Sequence, residues 1–242
     1  MTRKRADVVL VERGFFESRA RAQEAIAAGL VAVNGATLRK PSEPVPDEAL
    51  ISAGQPHPYV SRGGVKLAAA LDAFCIDPAG CICLDIGAST GGFTEVLLGR
   101  GAAHVYAVDV GRGQLHPKVA GDARVTSLEG TDARSLDATL VPQPADLLVS
   151  DVSFISLRLV LPAAVARLKP RAALAVLVKP QFEAGRERVK KGIVRDEAVH
   201  RDVCESMTAF VASLGFAPLG LVPSPIAGGD GNREFLLGAR RD

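Results

Sequence analysis

A run of ten residues, LDIGASTGGF at positions 84–93, most constrains what this chain can fold into. We expect a buried strand over 81–85, a glycine-rich turn, and a helix over 93–101. Without a Cβ, a glycine backbone can bend sharply and lie close to a ligand. The run therefore predicts a strand–turn–helix unit of an α/β sheet, and such sheets bind ligands at the carboxyl ends of their strands.

The spacing of the turn separates several ligand classes. A phosphate-binding loop would carry Lys-Ser or Lys-Thr after the glycines, and a dinucleotide fingerprint would read G-x-G-x-x-G; neither pattern occurs here. Asp85, an acid at the strand end, suits a cationic or zwitterionic nucleoside, so we predict S-adenosylmethionine, which carries an amine and a sulfonium. The alternative is a generic unit whose glycines serve packing. The predicted ligand contacts in this run are Asp85, Gly87, Ala88, Ser89, Thr90, Gly91, Gly92 and Phe93.

Two further acids follow the next two predicted strands. Asp109 closes an apolar strand over 103–109, where a carboxylate typically takes ribose hydroxyls, and Val110 follows it. Asp132 comes after a strand over 124–128 and could meet the adenine edge. Each acid alone would pass for a loop residue, but together with Asp85 they predict one nucleoside pocket across three strand ends.

Composition limits the possible classes of protein. The chain has 242 residues, 48% of them hydrophobic, and a net charge of +2, so a nucleic-acid partner would have to be bound by local basic patches. It has no run of 18 apolar residues and no signal-peptide pattern, so we expect a cytoplasmic protein without a membrane span. Its four cysteines lack metal-ligand spacing, and no metal is predicted.

The first 40 residues are more basic than the rest, with eight Lys or Arg against four acids. We predict helices over 6–12 and 19–28, the second capped by Ser18 and ended by Gly29. Two strands over 30–38 would flank an Asn34-Gly35 turn. This arrangement predicts a small α+β RNA-binding domain, although a merely solvated helical face would show the same pattern.

Five prolines between 41 and 58 exclude a helix there and indicate a linker. We therefore predict an RNA-binding domain over 1–54, a linker over 55–60 and a larger domain over 61–242. In the larger domain, strands near 81–85, 103–109, 124–128, 146–151 and 172–178 alternate with helices that include 65–74 and 157–168. A helix over 197–214 then precedes two strands near 216–222 and 233–238. This order predicts an α/β fold with a Rossmann-like, mainly parallel sheet and an antiparallel edge.

Four charged residues occupy positions where a core helix or strand end would not ordinarily place them. Lys66 interrupts an apolar helix, and Asp151 ends the strand DLLVSD. Lys179 ends the most hydrophobic strand, and Glu234 opens the last one. Each alone is most simply a solvated side chain. For Lys179 that explanation is weaker, because an amine after seven apolar residues is desolvated, and desolvation favours its neutral form.

These motifs resemble the TlyA family of rRNA 2′-O-methyltransferases over the whole chain. The larger domain is similar to FtsJ/RrmJ-like class I methyltransferases, and the first 55 residues are similar to the αL fold first seen in a small-subunit ribosomal protein. The matching stretches are SRGGVKL, LDIGASTGGFTEVLL, VDVGRGQL, SDVSFISL, LVKPQFE and GNREFLL.

The resemblance implies S-adenosylmethionine-dependent methylation of rRNA, of cytidine in the small subunit, the large subunit or both. Its catalytic tetrad maps onto Lys66, Asp151, Lys179 and Glu234, with Lys179 as general base and Asp151 also near the methyl donor. The implied partners are rRNA or ribosomal subunits, and the oligomeric state is open between monomer and dimer. The predicted RNA contacts are Arg3, Lys4, Arg19, Arg21, Arg39, Lys40, Arg62, Lys118, Arg186 and Lys190.

Three other functions were weighed. A non-catalytic RNA-binding or ribosome-assembly factor would need the basic domain but not the four charged residues. A membrane-active haemolysin, a label that the family has carried, would need an export signal, a long apolar segment or a strongly amphipathic basic helix. A nicotinamide-dependent oxidoreductase would need the missing fingerprint spacing.

Overall fold

The structure is a computed structural model that describes residues 3–228 and 231–242 of the chain. Two compact units meet between Pro58 and Tyr59, inside the segment predicted as the linker. The predicted RNA contact of Arg3 concerns a side chain outside the described part.

The smaller unit combines two helices with short strands. Its predicted turn is confirmed: Asn34 and Gly35 have φ values of 49° and 81°, and Val33 pairs with Ala36 across the hairpin. The Ser18 cap is also confirmed, since its side chain accepts from Arg21 N at 3.3 Å. The elements are β1 (Arg3–Arg5), α1 (Ala6–Glu12), α2 (Arg19–Ala27), β2 (Val31–Val33), β3 (Ala36–Thr37), β4 (Pro44–Pro46) and β5 (Ile51–Ala53).

Two small sheets complete this unit, one antiparallel with the order β3-β2-β5 and one pairing β1 with β4. Apolar side chains of both helices, among them Leu10 and Ile26, form its core with Val31 and Val45. Burial of these side chains stabilises the unit by bringing helices and strands onto one apolar centre.

The larger unit is a seven-stranded sheet with helices between most of its strands. The elements are α3 (Gly63–Ala73), β6 (Ile82–Ile86), α4 (Gly92–Gly99), β7 (His104–Asp109), α5 (Pro117–Ala120), β8 (Val125–Glu129), β9 (Ala145–Ser150), α6 (Leu157–Val165), β10 (Leu168–Val178), α7 (Pro180–Glu183), α8 (Glu197–Ser213), β11 (Ala217–Pro223) and β12 (Phe235–Arg241), with single 3-10 turns at Ala133–Ser135 and Arg186–Arg188.

The strand order is β11-β12-β10-β9-β6-β7-β8. The strands from β10 to β8 run parallel, and β12 is antiparallel to both neighbours, which confirms the predicted mixed sheet. Side chains of successive residues in β6 and β9 lie on opposite faces of the sheet. Leu84 and Leu148 belong to the apolar layer on one face, and Cys83 and Leu147 belong to the layer on the other. Both faces are therefore covered, and the carboxyl ends of the five parallel strands share one edge.

The predicted helix over 157–168 was too long. It ends at Val165, and Leu168 already pairs with Ala145 in the sheet. Lys169 precedes Pro170, and a residue before proline is disfavoured in the α region, so the helical path cannot continue there. Other boundaries shift less; α3, for example, begins at Gly63 rather than at 65.

Candidate active site

The glycine-rich turn between β6 and α4 brings the chain close to the end of β9. Gly87 has a φ of 83°, and a Cβ there would lie 2.9 Å from the carbonyl oxygen of Asp151. Gly91 has a φ of 94° and caps α4 in the left-handed conformation. Both positions need glycine, because a side chain would be strained and, at Gly87, would meet backbone. The turn is thus shaped by the neighbouring strand end.

A cavity of about 370 Å³ opens over this turn, and we call it the main cavity. Of the residues predicted to bind the nucleoside, it is lined by Gly87, Ser89, Asp109, Val110, Asp132 and Asp151. The other predicted residues do not line it: Asp85, Ala88, Thr90, Gly91, Gly92 and Phe93. The lining contains three aspartates and, within the described residues, no Lys, Arg or His. Such a lining attracts positive charge and disfavours a phosphate.

Asp109 fixes the rim of the main cavity. Its two carboxylate oxygens accept from Ser89 N at 2.8 Å and from Gly111 N at 2.7 Å. Asp132 pairs with Arg134 at 2.5 Å, and this guanidinium lowers the pKa of the Asp132 carboxyl to about 2. Asp109, at the end of β7, and Asp132, after β8, thus lie side by side along the cavity lining.

Asp85 lies beneath the turn, fully buried. Oδ2 accepts from Thr94 Oγ1 at 2.7 Å, whereas Oδ1 has no hydrogen-bond partner among the described residues. Burial raises the pKa of this carboxyl to about 7, and the charge of Asp151 adds to that effect. Asp85, the acid of the glycine-rich sequence motif, is thus buried and supports the turn from within the protein.

The four predicted catalytic residues form two ion pairs. Lys179 Nζ lies 2.6 Å from Asp151 Oδ1, and Lys66 Nζ lies 2.6 Å from Glu234 Oε2. Both lysines are buried, with about one-tenth of each side chain exposed. Lys179 also donates to Ser153 Oγ at 2.7 Å.

Sheet register explains why these residues converge. Val178, the last residue of β10, pairs with Phe235, the first residue of β12, so Lys179 and Glu234 follow and precede paired positions. Asp151 follows β9, the other neighbour of β10. At the start of α3, a Cβ on Gly63 would lie 3.6 Å from Asp151 Oδ2, which brings the helix of Lys66 to the same edge.

Sequence reasoning missed an aromatic residue at this edge. Phe154 is 92% exposed, has a φ of 66°, and lines the main cavity. Its ring centroid lies 5.3 Å from that of Phe182, which follows Lys179 by three positions. A large apolar side chain held in the left-handed region and exposed to solvent is a candidate ligand contact. The signal was an aromatic three positions after the strand-end acid Asp151, in DVSF.

The predicted RNA contacts occur in both units. In the smaller unit, Arg39 and Lys40 are exposed, and Lys4 pairs with Glu12 at 2.8 Å. Arg19 is half-exposed and bonds to the buried Asp7, while Arg21 contacts the His57 ring. In the larger unit, Lys118 pairs with Glu95 at 2.5 Å. The remaining predicted contacts are exposed: Arg62, Arg186 and Lys190.

Two other classes of feature were sought in the same ranges. No group of three or more His, Cys, Asp or Glu side chains is arranged to hold a metal ion within the described residues. None of the helices there has the length and hydropathy that crossing a bilayer requires.

Comparison with known proteins connects this geometry with a family. The FtsJ-like methyltransferase model matches residues 59–241, and the S4 domain model matches residues 4–51. YqxC of Bacillus subtilis, which carries an rRNA methyltransferase name, is 50% identical over 97% of this chain and 85% of its own. The 16S/23S rRNA (cytidine-2′-O)-methyltransferase TlyA of Mycobacterium tuberculosis is 45% identical over 98% of this chain and 90% of its own.

A solved structure of a hemolysin-named protein from Streptococcus thermophilus has a TM-score of 0.79 and 44% identity to this chain. The match covers the whole of this chain and 89% of that protein. The similarity therefore extends over both units and is not confined to the common methyltransferase sheet.

Proposed function

Because the chain belongs to the FtsJ-like methyltransferase family and carries an S4 domain, we propose that it methylates a ribose 2′-hydroxyl of rRNA. S-adenosylmethionine is the proposed donor and cytidine in small- or large-subunit rRNA the proposed target, as in the name of the M. tuberculosis relative. Activity on ribosomal RNA would place the protein in the cytoplasm. One observation carries the proposal: an acidic cavity without cations opens beside a buried lysine–aspartate pair.

The charge of the main cavity suits S-adenosylmethionine. The amine and sulfonium are cationic, and three carboxylates line the wall. We assign the ribose hydroxyls to Asp109, the adenine edge to Asp132, and the region of the reacting methyl to Gly87 and Asp151. When bound, the donor supplies an electrophilic methyl group. Asp85 supports this turn from below through the hydrogen bond that it accepts from Thr94 Oγ1.

Lys179 is the proposed general base. A ribose hydroxyl attacks poorly while it retains its proton, and a buried amine in its neutral form can accept that proton. The hydroxyl oxygen then bonds to the methyl carbon, the carbon–sulfur bond breaks, and the proton goes to Lys179 Nζ. Asp151, 2.6 Å away, orients Nζ and stabilises the ammonium that forms, while Ser153 Oγ fixes it from a second direction.

Lys66 and Glu234 are proposed to position the ribose. Their ion pair is buried and holds both side chains at the sheet edge, where hydrogen bonds to sugar hydroxyls can form. Alignment of the oxygen with the methyl carbon contributes much of the rate in a transfer between two molecules. Exposed Phe154 offers a face on which the attached base can stack, as aromatic side chains do with unpaired nucleotides.

Cations of both units are proposed to contact phosphates. The set in the smaller unit includes Lys4, Arg39 and Lys40, and that in the larger unit includes Arg186 and Lys190. Phosphate contacts release counterions, so affinity for rRNA should fall as salt rises.

The test is methyl transfer from labelled S-adenosylmethionine to purified ribosomal subunits that lack the modification, followed by nucleoside mass analysis. We expect a 2′-O-methylcytidine with the wild-type protein and a rate at least about 100-fold lower with Lys179→Ala. Lys169→Ala is the matched control, because Lys169 lies at the other end of β10 and pairs with Asp146. Equal rates for Lys179→Ala and wild type would remove the base assignment.

Two results would reject the wider proposal. Methyl found on a base nitrogen or carbon, not on the sugar, would contradict ribose methylation. Failure to bind S-adenosylmethionine, with rRNA binding intact, would favour the non-catalytic RNA-binding or ribosome-assembly factor.

A further inference from the structure

A second concave surface adjoins the main cavity on the other side of Phe154. It encloses about 460 Å³, and we call it the Phe154 groove. Phe154 and Ile155 line both, so the two spaces are contiguous. The groove is lined by Phe154, Ile155, Ser156, Leu159, Gln181, Phe182, Gly185, Arg186 and Val189.

The walls of the groove suit a flat aromatic ligand. The Phe154 and Phe182 rings are inclined at 51° to each other, and Leu159 is 57% exposed. Exposed aromatic and aliphatic side chains beside a nucleoside-binding cavity favour a stacked base over a charged group. Arg186 at the rim can meet the phosphate that accompanies such a base.

One residue of the groove lining has a polar atom without a partner. Gln181 lines the groove, and its Oε1 is shielded from solvent and accepts no hydrogen bond among the described residues. A buried acceptor without a donor is unfavourable, and rotation of the amide toward the groove would let a ligand N–H remove the penalty. Gln181 is the second residue of α7 and follows Lys179 by two positions, so its amide belongs to the segment that carries the proposed base.

The surrounding residues leave Gln181 as the base-reading group. Glu183, also on α7, already accepts from Ser156 Oγ at 2.5 Å and from Leu157 N at 2.8 Å. These bonds fasten α7 to the start of α6 and hold the groove walls in place. Ser156 is occupied by the same contact, whereas Gln181 Oε1 accepts no hydrogen bond among the described residues.

An open acceptor selects for a donor on the base. Cytosine presents an exocyclic N4 amine, whereas uracil presents a carbonyl oxygen at the same position. We infer that the Phe154 groove holds the base of the target nucleotide, and that Gln181 selects cytosine by accepting a hydrogen bond from its N4 amine. This inference rests on the proposed function, because it places the base beside a ribose held at Lys179.

The experiment compares three RNA substrates in which the mapped target nucleotide is cytidine, uridine or the 2-pyrimidinone riboside, which lacks the amine. For wild type, kcat/KM for cytidine should exceed that for each of the other two by at least about tenfold. Gln181→Leu should reduce both ratios to near one and leave the KM for S-adenosylmethionine unchanged. Gln181→Glu, whose ionised carboxylate is an acceptor only, should keep the preference for cytidine.

Gln143→Leu serves as the matched control, because Gln143 is exposed in a loop before β9. The same three bases are also measured by equilibrium binding of short oligonucleotides with S-adenosylhomocysteine present. If wild type transfers no methyl yet binds the cytidine oligonucleotide with a preference that Gln181→Leu removes, the proposed function fails while the selection of cytosine by Gln181 is upheld. If Gln181→Leu discriminates like wild type in both assays, the inference is wrong.

Discussion

Among the described residues, each unit of this protein has one aspartate with no solvent exposure, and the two carboxyls have opposite surroundings. Asp7 in the smaller unit accepts from Arg5, Arg19 and Gln23, and the two guanidinium groups hold the pKa of its carboxyl far below the ordinary range. Asp85 in the larger unit has one hydroxyl partner and no cation, and burial raises its pKa to about 7. Two carboxyls without solvent exposure therefore have pKa values shifted in opposite directions: hydrogen bonds from Arg5 and Arg19 lower that of Asp7, and burial without a cation among the described residues raises that of Asp85.

The two units differ in how their buried charged groups are paired. The smaller unit neutralises its buried acid with arginines whose other faces reach solvent, since their side chains are 49% and 56% exposed. The larger unit keeps both members of its Lys66–Glu234 pair buried and leaves an oxygen of Asp85 without a partner. A buried acid whose hydrogen bonds are incomplete is more typical of a functional region, whereas an acid whose oxygens all have partners is typical of a structural anchor.

The largest effect should come from the buried Lys66–Glu234 pair. Lys66→Met leaves Glu234 buried without its cation, so we expect the free energy of unfolding of the larger unit to fall by about 3–5 kcal/mol. Urea denaturation measures the change. Arg188→Met is the control, because Arg188 and Asp202 are both about half-exposed and their loss should not shift the transition. Equal shifts for the two variants would show that burial does not govern these pairs.

A second test uses pH to separate the two aspartates. The folded pKa of Asp85 lies above its unfolded value, so its contribution to stability is fully present below about pH 4 and is lost as pH rises through about 7. Between pH 5 and pH 8 this loss amounts to roughly 2–3 kcal/mol in the wild type. Asp85→Asn should lack it, so the stability of the variant relative to wild type should rise across this range.

The measurement is urea unfolding of wild type and Asp85→Asn at several pH values in that interval. For Asp7 the sign is reversed: its pKa is lowered, so its contribution is present above about pH 4 and is lost only in more acidic solution. A gap between wild type and Asp85→Asn that stays constant from pH 5 to pH 8 would contradict the raised pKa.

The contrast between the two acids also shows how far the sequence could be interpreted. Strand ends carrying Asp85, Asp109, Asp151 and Lys179 were predictable, because each follows a short apolar run and parallel strands place their carboxyl ends at one edge. The four-residue set was predicted as a group, and the structure brings its members into two ion pairs. How those pairs divide was not predictable, since it depends on sheet register and on the packing of α3.

The role of Asp7 escaped the sequence for a different reason. Its partners Arg19 and Gln23 lie 12 and 16 positions later on another helix, so their convergence depends on how α1 packs against α2. The composition of this region indicated a basic surface, but it could not show that two of its arginines, Arg5 and Arg19, donate hydrogen bonds to the same aspartate. The features of Phe154 and Gln181 were also not predictable from the sequence. The exposure of a side chain and the absence of a hydrogen-bond partner depend on how the chain folds around them.

Removal of the structural anchor should have an intermediate effect. Asp7→Asn weakens charge-assisted bonds to two arginines, but those arginines remain hydrated, so we expect the smaller unit to lose about 2 kcal/mol of stability. Thermal unfolding of the full chain, followed by limited proteolysis of the smaller unit, measures this loss. Asp47→Asn, at an exposed position of the same unit, should leave it unchanged. A fall as large as that for Lys66→Met would end the distinction between half-exposed and buried cations.

The smallest effect is expected at Asp132, an acid in the lining of the main cavity whose side chain is 39% exposed. Its partner Arg134 is 57% exposed, so Asp132→Asn should leave stability and rRNA affinity unchanged. Loss of one assigned contact to the adenine should raise the KM for S-adenosylmethionine by about fivefold without changing kcat. Steady-state kinetics with the donor varied and Arg134→Gln alongside would distinguish a direct contact from an indirect one. If Arg134→Gln raised the KM for S-adenosylmethionine as much as Asp132→Asn, the effect would depend on orientation of the Asp132 carboxylate by Arg134. Asp132 would then resemble Asp7, which arginines hold in place, more than Asp85, which has no cationic partner among the described residues.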